Sequence, residues 1–213
     1  MKSIAIIAGG EIQKQFVGEI CKAGVIIGAD RGALWLLKNG VAPDLAIGDF
    51  DSVTELERRK IHKLSKKFIR FSSDKDKTDL EIAVDEAVKL RPNDVHIYGA
   101  LGNRFDHSIG AIQMLLRLAS YNINGEIVDN FNKIHIVRHT ESVNKDKGFP
   151  YISFLPFGLD AVITLKGFVY DVVKKTLHAE SSLGISNEIK ENAASVTVHK
   201  GAVLVVRSRD HEV

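Results

Sequence analysis

Cysteine is nearly missing from this sequence: Cys21 is the single one in 213 residues. An internal disulfide is therefore impossible and cysteine-based zinc spacing is absent, which points to a reducing compartment, the cytoplasm. Excess charge of either sign is missing too, with 29 Lys and Arg against 27 Asp and Glu. That balance gives no polycationic grip on a nucleic-acid backbone, and no nucleic-acid partner is expected. The one basic run, RRKIHKLSKK at 58–67, carries Ile61 and Leu64 at helical spacing and reads as a solvated helix face over a buried one. Long apolar runs are lacking as well. The opening MKSIAIIAGGEIQ is broken by Gly9, Gly10 and Glu11, far short of the ~18 residues a bilayer span needs. It reads as a buried first strand and not as a signal peptide, and no membrane partner is expected. Finally, GxGxxG, GxxxxGK[ST] and GxSxG do not occur. Dinucleotide dehydrogenases, P-loop kinases and serine hydrolases thereby lose their main sequence support.

What is present is an ordinary globular composition, 45% hydrophobic and 26% charged. From residue 1 to 130, short β-rich apolar runs alternate with segments of helical period, the pattern of a parallel sheet covered by helices. Strands are expected at Ser3 to Ala8, Val25 to Gly28, Leu45 to Gly48, Phe68 to Phe71, Val95 to Tyr98 and Glu126 to Val128. Helices are expected near 11–23, 31–39, 54–66, 78–90 and 107–121. This predicts a doubly wound, mostly parallel six-stranded sheet. After Asn130 the period changes to two in KIHIVRH, YISFLPF, AVITLKG, SVTVHKG and AVLVVRS. A small all-β sandwich or barrel is expected at 131–213.

Open parallel sheets bind ligands at the carboxyl ends of their strands. Acidic residues gather at those ends here. The second strand runs into GADRG with Asp30 and Arg31, the third into GDFDS with Asp49 and Asp51, the fourth into SSDKDKTD and the fifth into GALGNRFDH. In GDFDS the two carboxylates fall on one side of an extended turn and Phe50 on the other. Such a pair suits a hard divalent cation such as Mg²⁺, although Asp51 or Ser52 could equally cap the next helix. In DKDKTDLE, Thr78 and Glu81 fit a capping box. Capping leaves the clustering of Asp74, Asp76 and Asp79 unexplained, and Asp79 could complete a metal site. Arg104 offers a fork to phosphate, while Asp106 could cap a helix or hold a substrate amine.

Taken in order, GADRGALWLL, PDLAIGDFDS, DKDKTDLE, GALGNRFDH and SSLGISNE resemble the thiamine pyrophosphokinase family, over residues 28 to 190. The resemblance implies an α/β catalytic domain that binds ATP and Mg²⁺ at 1–130 and a β-sandwich thiamine-binding domain at 131–213. It also implies a homodimer with active sites at the subunit interface. The implied reaction converts ATP and thiamine to AMP and thiamine diphosphate, with Asp49, Asp51 and Asp79 as metal ligands and, with Arg104, as the catalytic set. Asp30 and Asp76 are implied in the same polar site, Thr78, Arg104 and Asp106 near nucleotide or diphosphate, and Ser186 and Asn187 near the substrate. Asn187 also reads as a simple turn residue. Lys75, where some relatives have Gln, and Asn103, often Gly, depart from the family pattern without removing a metal ligand. The rival readings are a diphosphokinase of the same architecture acting on another alcohol, such as a hydroxymethyl pterin, and a noncatalytic sensor of thiamine diphosphate or nucleotide.

Overall fold

The structure is a computed structural model that describes residues 3–72, 74 and 76–210; Lys75 lies outside the described residues. It divides into two compact units, Met1–Asn130 and Phe131–Val213.

The first unit is a parallel sheet of β1 (Ser3–Ile7), β2 (Val25–Ala29), β3 (Leu45–Gly48), β4 (Lys67–Arg70), β5 (Asp94–Tyr98) and β6 (Asn124–Val128). Within the unit their spatial order is β6-β5-β1-β2-β3-β4, and every pairing is parallel. The central strands read SIAII and VIIGA because a parallel strand buried on both faces must be apolar throughout. The chain winds outward from β1 to β4, then returns to β5 on the other flank of β1. That reversal makes a topological switch point at the carboxyl ends of β1 and β5, where the loops diverge and leave a crevice.

The crossover helices are α1 (Val17–Ile20), α2 (Arg31–Lys38), α3 (Glu55–Leu64), α4 (Asp79–Lys89) and α5 (Phe105–Ser120). α3 starts on a full capping box: Glu57 N–H donates to Thr54 Oγ1 at 3.3 Å and Thr54 N–H to Glu57 Oε2 at 3.0 Å. α4 has only half of one. Thr78 Oγ1 accepts from Glu81 N at 3.2 Å, but the Glu81 carboxylate is held instead by Arg117 Nη1 at 3.1 Å. The long helix expected near 11–23 is reduced to a 3-10 turn, Lys14–Phe16, and the four residues of α1. The cause is tertiary: the Ile12 carbonyl accepts from the Trp35 indole at 3.1 Å, and Gly10 N–H donates to the Gly99 carbonyl at 2.9 Å. These bonds hold residues 10–12 out of a helix.

His96 on β5 lies opposite Glu126 on β6, with Nδ1 3.4 Å from Oε2. The carboxylate raises the imidazole pKa above its usual value, against the opposing effect of burial. A raised folded-state pKa adds stability that is complete below the unfolded value of about 6.5 and disappears as pH rises through the folded one. The melting temperature is therefore expected to fall as pH rises from about 6 to 8, and His96→Gln flattens that part of the profile. An equal slope in the variant would assign the pH dependence elsewhere.

The second unit contains β7 (Asn132–Val137), β8 (Thr140–Asn144), β9 (Tyr151–Pro156), β10 (Ala161–Lys166), β11 (Val172–Leu177), β12 (Asn187–Glu188), β13 (Ala193–Lys200) and β14 (Val203–Ser208). They form two antiparallel sheets, β12-β9-β14-β7 and β11-β10-β13-β8. Phe154, Val203 and Val205 from one sheet and Ile163, Leu165 and Val196 from the other share one buried core. Phe154 and Phe168 meet edge to face at 5.2 Å within it. This is the expected sandwich. The five alternating runs appear as β7, β9, β10, β13 and β14. The strands without a sequence signal are β8 (TESVN) and β11 (VVKKTL), sheet edges where solvent exposure permits polar residues and erases the alternation, and the two-residue β12, too short to carry one.

Candidate active site

The loops that follow β1, β2, β3, β4 and β5 enclose a cleft of about 670 Å³ in the first unit. Glycine lets its walls come together. A Cβ on Gly32, in the first turn of α2, would lie 1.9 Å from the Ile7 carbonyl oxygen, so α2 can sit on the tip of β1 only because this residue has no side chain. One on Gly10 would lie 2.5 Å from the Gly99 carbonyl oxygen.

Asp30 joins β2 to α2 with φ 48° and ψ −119°, a backbone conformation costly to any residue with a Cβ. It is held there by Asp30 N–H donating to the Ile47 carbonyl at 2.9 Å and by the Asp30 carbonyl accepting from Ala33 N at 3.1 Å. The Ser52 hydroxyl donates to Oδ2. Oδ1 is buried and accepts no hydrogen bond among the described residues. Burial raises the Asp30 pKa against the lowering effect of the Ser52 bond, and the Asp79 and Asp49 charges raise it further.

The GDFDS turn has the alternation expected of it. Phe50, at φ 58°, is buried and stacks on Phe68 with ring centroids 4.8 Å apart. Asp51 N–H donates to Asp49 Oδ1 at 3.1 Å, which closes the turn. Asp30, Asp49 and Asp51 each bring a carboxylate oxygen within 4.8 Å of the others. Three like charges held this close, one with a buried oxygen lacking a donor, have the chemistry of a divalent-cation site with oxygen ligands.

The other expected residues fall in different settings. Thr78 and Asp79 open α4 and line the cleft, and Asp79 acts on Asp30 electrostatically without belonging to the group of three. Asp76 is exposed and is not among the lining residues. Arg104 and Asp106 line the cleft and are forked on each other, with Nη2–Oδ2 at 2.7 Å and Nε–Oδ1 at 3.4 Å. Asp106 therefore lies in the first turn of α5, with Arg104 at the N-cap. Ser186 and Asn187 belong to the second unit. Ser186 has φ 57°, and its N–H donates to Ser153 Oγ at 3.0 Å. Asn187 is 3% exposed; its Oδ1 accepts from Tyr170 N at 3.1 Å and Glu188 N at 2.9 Å, and its Nδ2 donates to the Tyr170 carbonyl at 3.0 Å. That amide ties Tyr170 to β12, so Asn187 is a buried strand residue and not the simple turn residue of its other reading.

Asp30, expected only in the surrounding polar site, is one of the three converging carboxylates, and Ser52, expected only as a possible cap, donates to it. The signal for both was the pairing of strand tips: β2 and β3 are neighbours, so GADRG and GDFDS must end side by side.

Two family patterns match the chain, "Thiamin pyrophosphokinase, catalytic domain" over residues 18–127 and "Thiamin pyrophosphokinase, vitamin B1 binding domain" over 138–203. The thiamine pyrophosphokinase of Bacillus subtilis (strain 168) is 37% identical over 99% of this chain and 100% of its own. The crystal structure of thiamine pyrophosphokinase from that organism superimposes with a TM-score of 0.92 at 35% identity, covering 99% of this chain and 100% of the other. That of thiamin pyrophosphokinase from Geobacillus thermodenitrificans gives 0.86 at 30% identity, covering 99% of each.

Proposed function

The chain belongs to the thiamin pyrophosphokinase family, and from that premise we propose that it transfers the terminal diphosphoryl group of ATP to the hydroxyl of thiamine, giving thiamine diphosphate and AMP. The observation that carries the chemistry is the convergence of Asp30, Asp49 and Asp51 within 4.8 Å, with Asp30 and Asp49 lining the cleft. In this reading Asp49 and Asp51 hold Mg²⁺. Asp79, from the start of α4, is the expected third ligand, and Asp30 is the third carboxylate by distance. Bound there, Mg²⁺ supplies charge neutralisation for the ATP phosphates and for the departing AMP.

The thiamine oxygen forms a bond to the β-phosphorus and gives up its proton to solvent, and the bond from that phosphorus to the oxygen bridging it to the α-phosphorus breaks, so AMP leaves with the electron pair. Transfer of this kind depends on alignment and electrostatics more than on a strong base. In this reading Thr78, Arg104 and Asp106 serve the nucleotide and diphosphate, Asp76 belongs to the surrounding polar shell, and Ser186 and Asn187 serve thiamine. The fork between Arg104 and Asp106 keeps the guanidinium plane oriented, and it can exchange one carboxylate for a phosphate oxygen.

Assembly as a homodimer with the active sites at the subunit interface is part of the same proposal. Phe105, 75% exposed, and the exposed Ile109 and Leu116 of α5 offer apolar surface for a second copy. Light scattering should give a mass near twice that of the chain.

The test is incubation of the pure protein with Mg-ATP and either thiamine or a hydroxymethyl pterin, with AMP and the diphosphate product identified by mass. AMP release with thiamine alone is the expected result. Release only with the pterin would transfer the assignment to that alcohol, and tight binding of thiamine diphosphate or nucleotide without AMP release would make the chain a sensor.

A further inference from the structure

Arg31 stands where simple electrostatics disfavours it. It is the first residue of α2, at the end of the helix dipole that repels a cation. Its Cβ lies 3.6 Å from the position a Cβ on Gly9 would take, so its stem rises beside the glycine turn at the tip of β1. It lines the cleft together with Asp30, Asp49, Asp79 and Asp106. Yet among the described residues Arg31 makes no ion pair and no side-chain hydrogen bond. The other Lys and Arg side chains lining the cleft are already engaged: Arg104 on Asp106, and Lys77 on Asp85 at 2.8 Å and Glu81 at 3.8 Å.

A polyphosphate entering a cleft lined with four carboxylates meets repulsion that one divalent cation only partly removes. It gains most from a cation that need not first abandon an internal partner, because breaking such a pair subtracts from binding. A guanidinium at a helix N-terminus also acts beside backbone N–H groups that themselves favour phosphate. We propose that Arg31 is a substrate-binding residue that forks onto the ATP polyphosphate, on the side of the transferred diphosphoryl group next to Asp30. The proposal rests on reading this cleft as the nucleotide site.

The test measures binding separately from turnover. Mg²⁺ with α,β-methylene-ATP is titrated calorimetrically into the wild-type protein, Arg31→Met and Arg31→Lys, without thiamine. A charge-assisted fork corresponds to a weakening of about 30-fold in Arg31→Met, with Arg31→Lys in between because it keeps the charge and loses the fork. The salt dependence of binding should become shallower in Arg31→Met, while its melting temperature is unchanged or raised, since a cation has left the wrong end of a dipole. In the steady state the KM for ATP should rise and that for thiamine stay fixed. Analogue affinity in Arg31→Met within twofold of wild type would overturn the proposal. Wild-type protein that binds the analogue but makes no thiamine diphosphate would refute the reaction assignment and leave Arg31 to be judged by the binding arm. Wild-type protein that does not bind the analogue would overturn both.

Discussion

Asp49→Asn is expected to lower turnover at saturating Mg-ATP and thiamine by about 10²–10³-fold, the scale on which losing one directed electrostatic contact to a transition state acts. The change is chosen because the turn should survive it. Asp49 Oδ1 accepts the Asp51 N–H at 3.1 Å, and an asparagine oxygen can accept the same bond. What is removed is one negative charge from a group of three. Relieving that repulsion should leave the melting temperature unchanged or slightly raised, while the Mg²⁺ concentration for half-maximal rate rises. Loss of activity combined with gain of stability is the signature of a residue kept for chemistry. Full turnover with an unaltered Mg²⁺ requirement would remove Asp49 from the ligand set.

Gly32→Ala should have the largest effect on the fold. In an ordinary helix interior the change stabilises by about 1 kcal/mol. Here the new methyl would meet the Ile7 carbonyl oxygen at 1.9 Å, the Ile7 carbonyl carbon at 2.5 Å and the Ala8 carbonyl oxygen at 2.8 Å. All are backbone atoms at the end of a central strand, so nothing flexible can give way. Overpacking against such atoms costs about 3 kcal/mol or more, which outweighs the helix-propensity gain and fixes the sign as destabilising. Relief requires α2 to lift from β1, and that carries Asp30 and Arg31 away from Asp49. The variant should unfold at markedly lower urea and lose activity even where it is fully folded. Wild-type stability would mean that the helix and strand are less tightly apposed than the structure has them.

These expectations show what the sequence made legible. The strands β1, β2 and β3 could be read because burial on both faces demands nearly unbroken apolar runs, and their tips therefore marked where ligands gather. The spacing of Asp49, Phe50 and Asp51 was enough to place both carboxylates opposite a buried ring, as the contact between Phe50 and Phe68 bears out. The half-closed cap of α4 was not legible, because it depends on Arg117, thirty-six positions beyond Glu81, taking that carboxylate. The unusual backbone of Asp30 was equally hidden: nothing in GADRG signals φ 48°, which is held by a bond to Ile47 on the neighbouring strand β3 as well as by the local bond to Ala33. Nor did the sequence show that Arg31, though exposed, is the cleft cation without an internal partner among the described residues, since that depends on the pairings of Arg104 and Lys77. At the sheet edges of the second unit the alternation was absent because exposure makes it unnecessary.

The most direct test is a crystal of the protein grown with Mn²⁺, α,β-methylene-ATP and thiamine, with the metal located by its anomalous scattering. The account predicts a Mn²⁺ ion coordinated directly by Asp49 and Asp51, touching the analogue's phosphates, with Asp30 or Asp79 completing the protein ligands. A metal bound to the phosphates but to neither Asp49 nor Asp51 would contradict it.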